Sequence, residues 1–216
     1  MNEIKQLTDF FPTYRIVRHF LRGLDGVRNP LFRSTWSRIL KQRGTRQEPV
    51  DWSDPDAWIP GRLSGEGRAL ALRIWRESKR ELTPRYVRGS WDLTTKHDLL
   101  TRDAQDNLRV TERGQRFFAE PEGQIVAEID TYEGIFTLLR VVAERGPGKR
   151  GDFLPDWTAY CRTFTTWHAE TLIKSSLRFR MLNLIDRGYV IRLGQAYGTT
   201  DAGLSYLKAS ASLMSG

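Results

Sequence analysis

Residues 171–207 read TLIKSSLRFRMLNLIDRGYVIRLGQAYGTTDAGLSYL, and the order of residue types along this stretch decides the fold. Leu172, Ile173, Leu177, Met181, Leu184 and Ile185 recur at three- and four-residue spacing, which predicts one buried helical face. Gly188 follows Asp186 and Arg187, where a left-handed residue would end that helix. Tyr189, Val190 and Ile191 have strand composition, Gly194-Gln195-Ala196 supplies a turn, and Tyr197 opens a return strand. Thr200-Asp201 then pairs an N-cap hydroxyl with a carboxylate in the first turn of a last helix. The outer face of the first helix carries Thr171, Lys174, Ser175 and Arg178, the two cations four residues apart and so side by side.

The same ending occurs earlier in the chain. Leu99-Leu100-Thr101-Arg102 and Leu108-Arg109-Val110-Thr111 frame a polar turn at 103–107. Thr111-Glu112-Arg113-Gly114-Gln115-Arg116-Phe117-Phe118 follows. It and Thr200-Asp201-Ala202-Gly203-Leu204-Ser205-Tyr206-Leu207 both read Thr, acid, x, Gly, x, x, aromatic, apolar, 89 positions apart. Helix, hairpin and capped helix form the closing half of a winged helix. Two copies predict a mainly α chain with small β-hairpin wings (α+β), built as tandem winged-helix domains. The expected division is 1–120 for a helical and winged-helix domain, 121–210 for a second, and 211–216 for a tail or linker.

A chain of 216 residues with 39% hydrophobic content has material for two small cores. Its single cysteine, Cys161, excludes an internal disulfide framework and fits the reducing cytoplasm. No apolar run is long enough for a membrane, and Met1–Phe11 lacks the pattern of a signal peptide. The net charge of +8 and a pI near 9.9 point to a polyanionic partner. That charge sits at the two ends: +6 over residues 1–50, +4 over 149–216, and −3 over 121–148.

The remaining segments place the other candidates. Thr8–Leu24 is expected as a helix with Pro12 in its first turn, Arg15, Arg18 and Arg22 facing either phosphates or solvent. A second helix is expected from Asn29 to about Arg43, then an irregular stretch over 44–63. There Trp52 and Trp58 either pin the loop to the core or form a stacking surface. After a helix over Ser64–Arg80, residues 83–97 hold the first recognition element, with Arg85, Arg88 and Lys96 for charge and Tyr86 and Trp91 for aromatic surface. Gln124–Arg145 reads as one long helix and Asp152–Phe164 as the next.

Motifs that imply chemistry are weak. Residues 146–151 match G-x-G-x-x-G by letter, but they follow a helix and lack a parallel-strand context. Lys149 and Arg150 remain candidates for a DNA phosphate. Pro55-Asp56 with Glu77-Ser78-Lys79 matches the letters PD…(D/E)xK, yet the acid-x-lysine element lies among strong helix formers. His19, His97, His168 and Cys161 have no ligand spacing. The reading therefore contains no catalytic residue, no metal and no cofactor.

The ordered segments RGSWDLTTKHDLLTRD, LRVTERGQRFF, EGIFTLL…RGPGKRGDFLPDW and RGYVIRLGQAYGTTDAGLSYL together resemble the winged-helix region of Mrr-type, modification-dependent (type IV) restriction endonucleases. The resemblance spans most of residues 80–210. It implies a module that recognises double-stranded DNA, with cleavage left to a separate nuclease domain. If a modified base is read, Trp91, Tyr86, Trp52 and Trp58 are the candidates for its pocket. The expected DNA contacts are Thr171, Lys174, Ser175 and Arg178 in a major groove. Arg192 and Gln195 of one wing, and Arg102, Gln105 and Asn107 of the other, would reach phosphates or the minor groove. Arg85, Arg88, Lys96, Lys149 and Arg150 complete the set. Expected partners are double-stranded DNA, a fused nuclease domain and a second copy in a homodimer, with no membrane. The rival readings are an enzyme with Asp56, Glu77 and Lys79 as a nuclease centre, a winged-helix transcription regulator and a protein-binding scaffold.

Overall fold

A computed structural model describes the backbone of residues 3–213 and the side chains through Ala209. The chain is mainly helical with two small antiparallel strand pairs, an α+β architecture. It divides into two units. The first is Arg15–Ala119; the second joins the described residues before Arg15 to those from Glu120 onward.

The first unit runs α1 (Tyr14–Leu24, its first residue Tyr14 belonging to the second unit), α2 (Asn29–Lys41), α3 (Pro55–Arg62), α4 (Gly65–Glu77), a 3-10 turn (Pro84–Tyr86) and α5 (Arg88–Lys96). A hairpin of β1 (Leu100–Arg102) and β2 (Leu108–Val110) follows, then α6 (Glu112–Ala119). Val17, Phe20, Leu21, Leu24, Phe32, Leu93, Leu99, Leu108 and Phe117 are buried. Where an irregular stretch is expected over 44–63, α3 forms instead. Asp54 caps it by accepting from the Asp56 N–H at 3.0 Å, and Pro55 occupies its first turn. Ile39, Trp58, Ile59, Leu63 and Ala71 form a cluster against which Trp52, Leu72 and Trp75 pack, so α3 and α4 are fastened to α2. The helix expected over 8–24 begins only at Tyr14, which leaves Pro12 before it rather than in its first turn.

The second unit comprises α7 (Gln124–Tyr132), α8 (Ile135–Arg145), a 3-10 turn (Arg150–Phe153), α9 (Leu154–Phe164) and α10 (Glu170–Asp186). The hairpin of β3 (Val190–Leu193) and β4 (Ala196–Thr199) and the helix α11 (Asp201–Leu213) complete it. The single long helix expected over 124–145 is two, broken at Gly134. That glycine has φ +76, and a Cβ there would lie 2.7 Å from the Tyr160 ring and 3.0 Å from Trp157. The break lets the α9 rings close on the backbone. α11 continues to Leu213, so the tail expected from 211 is helical that far; residues 214–216 lie outside the described residues.

The N-terminal residues belong to this second unit, which the expected boundary of 1–120 misses. The Lys5 N–H donates to the Phe164 carbonyl at 2.6 Å, and the Thr8 N–H and hydroxyl donate to the Glu133 carboxylate at 2.9 and 2.8 Å. Arg180 closes the ring of contacts, donating to Glu133 Oε2 at 2.8 Å, to the Glu133 carbonyl at 2.7 Å and to the Thr8 carbonyl at 3.2 Å. Both side chains of this ion pair are fully buried. Beside it Asp130 accepts from Tyr14, Tyr206 and Arg187 at 2.5, 2.6 and 2.7 Å. Burial holds the Tyr14 and Tyr206 hydroxyls above their ordinary range, so these donors keep their protons.

Each unit contains the same helix–hairpin–helix joint. After α5 and α10 comes a residue at positive φ, Asp98 (54°) and Gly188 (74°). Its carbonyl accepts from the next hydroxyl cap, Thr111 and Thr200, at 2.6 Å in both units. The same hydroxyls accept the N–H of Gly114 (2.9 Å) and Gly203 (3.1 Å). A Cβ on either glycine would lie 2.3 Å from a strand-entry carbonyl, Leu99 or Tyr189. The octet therefore repeats because its hydroxyl caps a helix and its glycine lets that helix touch the hairpin. A further correspondence is invisible in the sequence. Arg28, just before α2, bridges to Asn107, and Gly148, just before the 3-10 turn, bridges to Tyr197.

Candidate nucleic-acid interface

The bridge at Gly148 borders a basic concavity of the second unit. The Gly148 N–H donates to the Tyr197 carbonyl at 3.0 Å, and the Tyr197 N–H returns a bond to Gly148 at 2.7 Å. Tyr197 is itself the cross-strand partner of Arg192. Pairing therefore carries the 146–151 loop to the hairpin and brings Arg150 beside Arg192. Gly146 ends α8 at φ +71, and a Cβ on Gly148 would lie 3.1 Å from the Asp152 carboxylate, whereas one on Gly151 would meet nothing within 4 Å.

Arg150, Arg192 and Gln195 line a groove of about 530 Å³ together with Arg178 of α10. Met181, Leu182, Ile185 and Tyr197 supply its apolar part, and no carboxylate among the described residues lines it. Arg192 Nε donates to the Gly194 carbonyl at 2.9 Å, which fixes that side chain at the hairpin turn. Three guanidiniums converging without an acid raise the local positive potential and suit an anion with oxygens in several directions.

The outer face of α10 is arranged as its spacing implies. Thr171, Lys174 and Arg178 are exposed and Ser175 half-buried, while Ile173, Leu177, Met181 and Leu184 are buried. Lys174 pairs with Glu170 one turn earlier, at 2.5 Å, and the Ser175 hydroxyl donates to the Leu172 carbonyl at 2.9 Å. Lys149 and Arg150 are exposed, and the Lys149 backbone N–H donates to Asp152 at 2.7 Å.

The candidates of the first unit are more dispersed. Asn107 is largely occupied within the hairpin: its backbone and side-chain N–H groups both donate to Asp103, at 2.8 and 3.1 Å. Asp103 also accepts from the Gln105 N–H at 3.0 Å and from Arg109 at 2.9 Å, making it the organiser of the turn. These bonds, the Asn107 backbone N–H foremost, hold its carboxyl down at about 2. Arg102 and Gln105 are exposed, Arg102 lying 3.7 Å from Asp106. Arg88 pairs with Asp92 at 3.5 Å along α5, and Lys96 is half-buried near its end.

The four aromatic candidates do not form one pocket. Trp58 is buried in the α2–α3–α4 cluster, with Trp52 edge-on to it at 5.1 Å; both pin the segment to the core. Arg85 is spent on this cluster, its guanidinium 4.6 Å over the Trp52 ring. Tyr86 is 65% exposed, and Trp91 instead stacks on Phe32 at 4.9 Å. Arg15, Arg18 and Arg22 are also in use: Arg15 pairs with Glu81, Arg18 lies 4.7 Å over Phe117 and Arg22 5.5 Å over Phe118.

Glu77 ends α4 and Lys79 follows in a turn at φ +55, while Asp56 pairs with Arg80 at 3.5 Å. The acid-x-lysine letters therefore stand on no strand. Among the described residues no group of three or more His, Cys, Asp or Glu is placed to hold a metal ion. No helix among them is long and apolar enough to cross a membrane. Compared with protein families, with curated proteins and with solved structures, the chain matches none.

Proposed function

We propose that this chain is a double-stranded DNA recognition module built of two winged helices. The observation that carries the reading is the convergence of Arg150, Arg178, Arg192 and Gln195 on one groove in the second unit. That groove joins the outer face of a helix to the hairpin that follows it, as a groove-reading helix and its wing would be joined. The repeated joint, with its bridge from the segment before the second helix, supports a winged-helix assignment for both units. In the second unit α8, α9 and α10 are the three helices. In the first, α1, α2 and α5 take those places, and α3 with α4 is an insertion between the second and third.

In this reading Thr171, Lys174, Ser175 and Arg178 face a major groove, with Arg178 on a guanine edge. Arg150, Arg192 and Gln195 hold the flanking backbone. A guanine contact of this type is worth about 1–3 kcal/mol of discrimination. The resemblance to Mrr-type restriction endonucleases extends the proposal: the module targets a nuclease domain to DNA, and a modified base is one form of that target. Titration of the chain with matched unmethylated, adenine-methylated and cytosine-methylated duplexes across a salt series tests it. Strongly salt-dependent binding is expected, with a preference for one duplex if a modified base is read. Absence of binding at low salt would sink the DNA reading.

A second reading rests on exposed apolar side chains of α10 and of the hairpin that follows it. Leu182, Ile191 and Leu193 are 43%, 49% and 51% exposed. They favour a protein partner or a second copy of the chain, which salt-insensitive association without DNA affinity would identify.

A further inference from the structure

The first unit carries a concave surface with different chemistry. Phe32, Trp36 and Trp91 form a row of near-parallel rings, Phe32 lying 4.9 Å from Trp91 at 26° and 6.1 Å from Trp36 at 23°. Phe32 is buried, whereas Trp36 and Trp91 are half-buried. All three line a groove of about 800 Å³, within the size range of ligand clefts. Its other walls bring Arg33, Lys41 and Arg43, no carboxylate among the described residues, and at the rim Leu40, which is 57% exposed. Arg33 and Trp91 also line an adjoining cleft that passes Arg102 of the hairpin.

Stacking rings ask for a flat, weakly polar face, and the three cations ask for negative charge close beside it. An unpaired nucleotide has both. Its base is planar and tolerant of any aromatic partner, and each residue of the strand brings one phosphate. Within a paired duplex the base faces are covered by their neighbours and cannot reach such a row. An acidic peptide would satisfy the cations but leave the rings without a matching surface.

We propose that the groove formed by Phe32, Trp36 and Trp91 with Arg33, Lys41 and Arg43 holds an unpaired nucleotide of a bound nucleic acid. Its base stacks on an indole of this aromatic row and its phosphates lie against the three cations. The inference rests on the DNA reading and adds a preference that reading does not contain.

The test compares two DNAs of identical sequence, a fully paired duplex and one with a single bulged 2-aminopurine, at several salt concentrations. The bulged duplex is expected to bind at least about fivefold tighter, with 2-aminopurine fluorescence quenched by stacking. Trp36→Leu should remove the preference and the quenching while leaving affinity for the paired duplex unchanged. Lys41→Glu, a surface change with no risk to the core, should reduce the preference in the same way. Equal affinity for the two DNAs, or a preference that survives both substitutions, overturns the nucleotide site and leaves the DNA module standing. Binding to neither DNA overturns both. Competition by an acidic peptide, without any preference for the bulge, gives the groove to a protein and overturns the inference.

Discussion

Arg180 and Glu133 form an ion pair of 2.8 Å with both side chains wholly shielded from solvent. Burial lowers the affinity of the Arg180 guanidinium for its proton, and the adjacent carboxylate opposes that shift. Glu133 also accepts from Thr8, and Arg180 donates to the Thr8 carbonyl, so one pair holds three separate segments. Glu133→Ala strands the buried cation and should cost about 3–5 kcal/mol. Arg180→Met with Glu133→Leu should recover much of that loss. Hydrogen exchange at Gln6 to Thr13 should rise in Glu133→Ala before the rest of the second unit unfolds. Unchanged protection there would separate the N-terminal segment from the pair.

Gly114 and Gly203 allow a second comparison. Each would place a Cβ 2.3 Å from a backbone carbonyl, so neither site can accept alanine without moving the helix off its hairpin. Gly114→Ala and Gly203→Ala should each destabilise by about 1–3 kcal/mol, read by chemical denaturation. Gly61 has nothing within 4 Å of its would-be Cβ and lies inside α3. Gly61→Ala should stabilise by about 0.4–1 kcal/mol through the unfolded chain. Equal effects at all three positions would show that the shared joint is not a close-packed one.

The repeated octet was readable because each of its letters answers a local need: a hydroxyl for the cap, an acid for the first turn, a glycine for contact. The outer face of α10 was readable for a similar reason, since helical spacing separates Lys174 and Arg178 from Ile173 and Leu177. Non-local facts were not readable. Arg180 falls on the buried stripe between Leu177 and Leu184, but no local spacing gives its partner Glu133, 47 residues earlier. Glu133-Gly134 looks like mid-helix until Tyr160 and Trp157 need the glycine. Arg85, Arg18 and Arg22 look available for phosphate until aromatic rings of the same unit take their guanidiniums. Asp54-Pro55 was a local signal for α3, and the surrounding prolines masked it.

The hairpin of the first unit should respond to acid at an unusually low pH. Asp103 has its carboxyl lowered to about 2, against an ordinary value of about 3.9. A lowered folded value means that its contribution is complete above about pH 4 and is lost as pH falls towards 2. The Asn107 and Gln105 amide resonances should therefore titrate with a midpoint near 2, and Asp103→Asn should abolish that titration. A midpoint near 4 would mean that the turn is not organised by this carboxylate.

The groove of the second unit yields the most direct prediction about DNA. Arg150, Arg178 and Arg192 line it together, but the proposal gives them different work. Arg150→Ala and Arg192→Ala remove phosphate contacts, so each should weaken binding to all duplexes alike and reduce the log–log salt slope by about 1. Arg178→Ala should instead flatten sequence preference, by about 1–3 kcal/mol at one base pair, with little change in that slope. Circular dichroism should be unchanged in all three, because these side chains are exposed. An Arg178→Ala protein with undiminished preference would remove Arg178 from base reading, and a slope unaffected by Arg150→Ala and Arg192→Ala would take the groove away from the phosphate backbone.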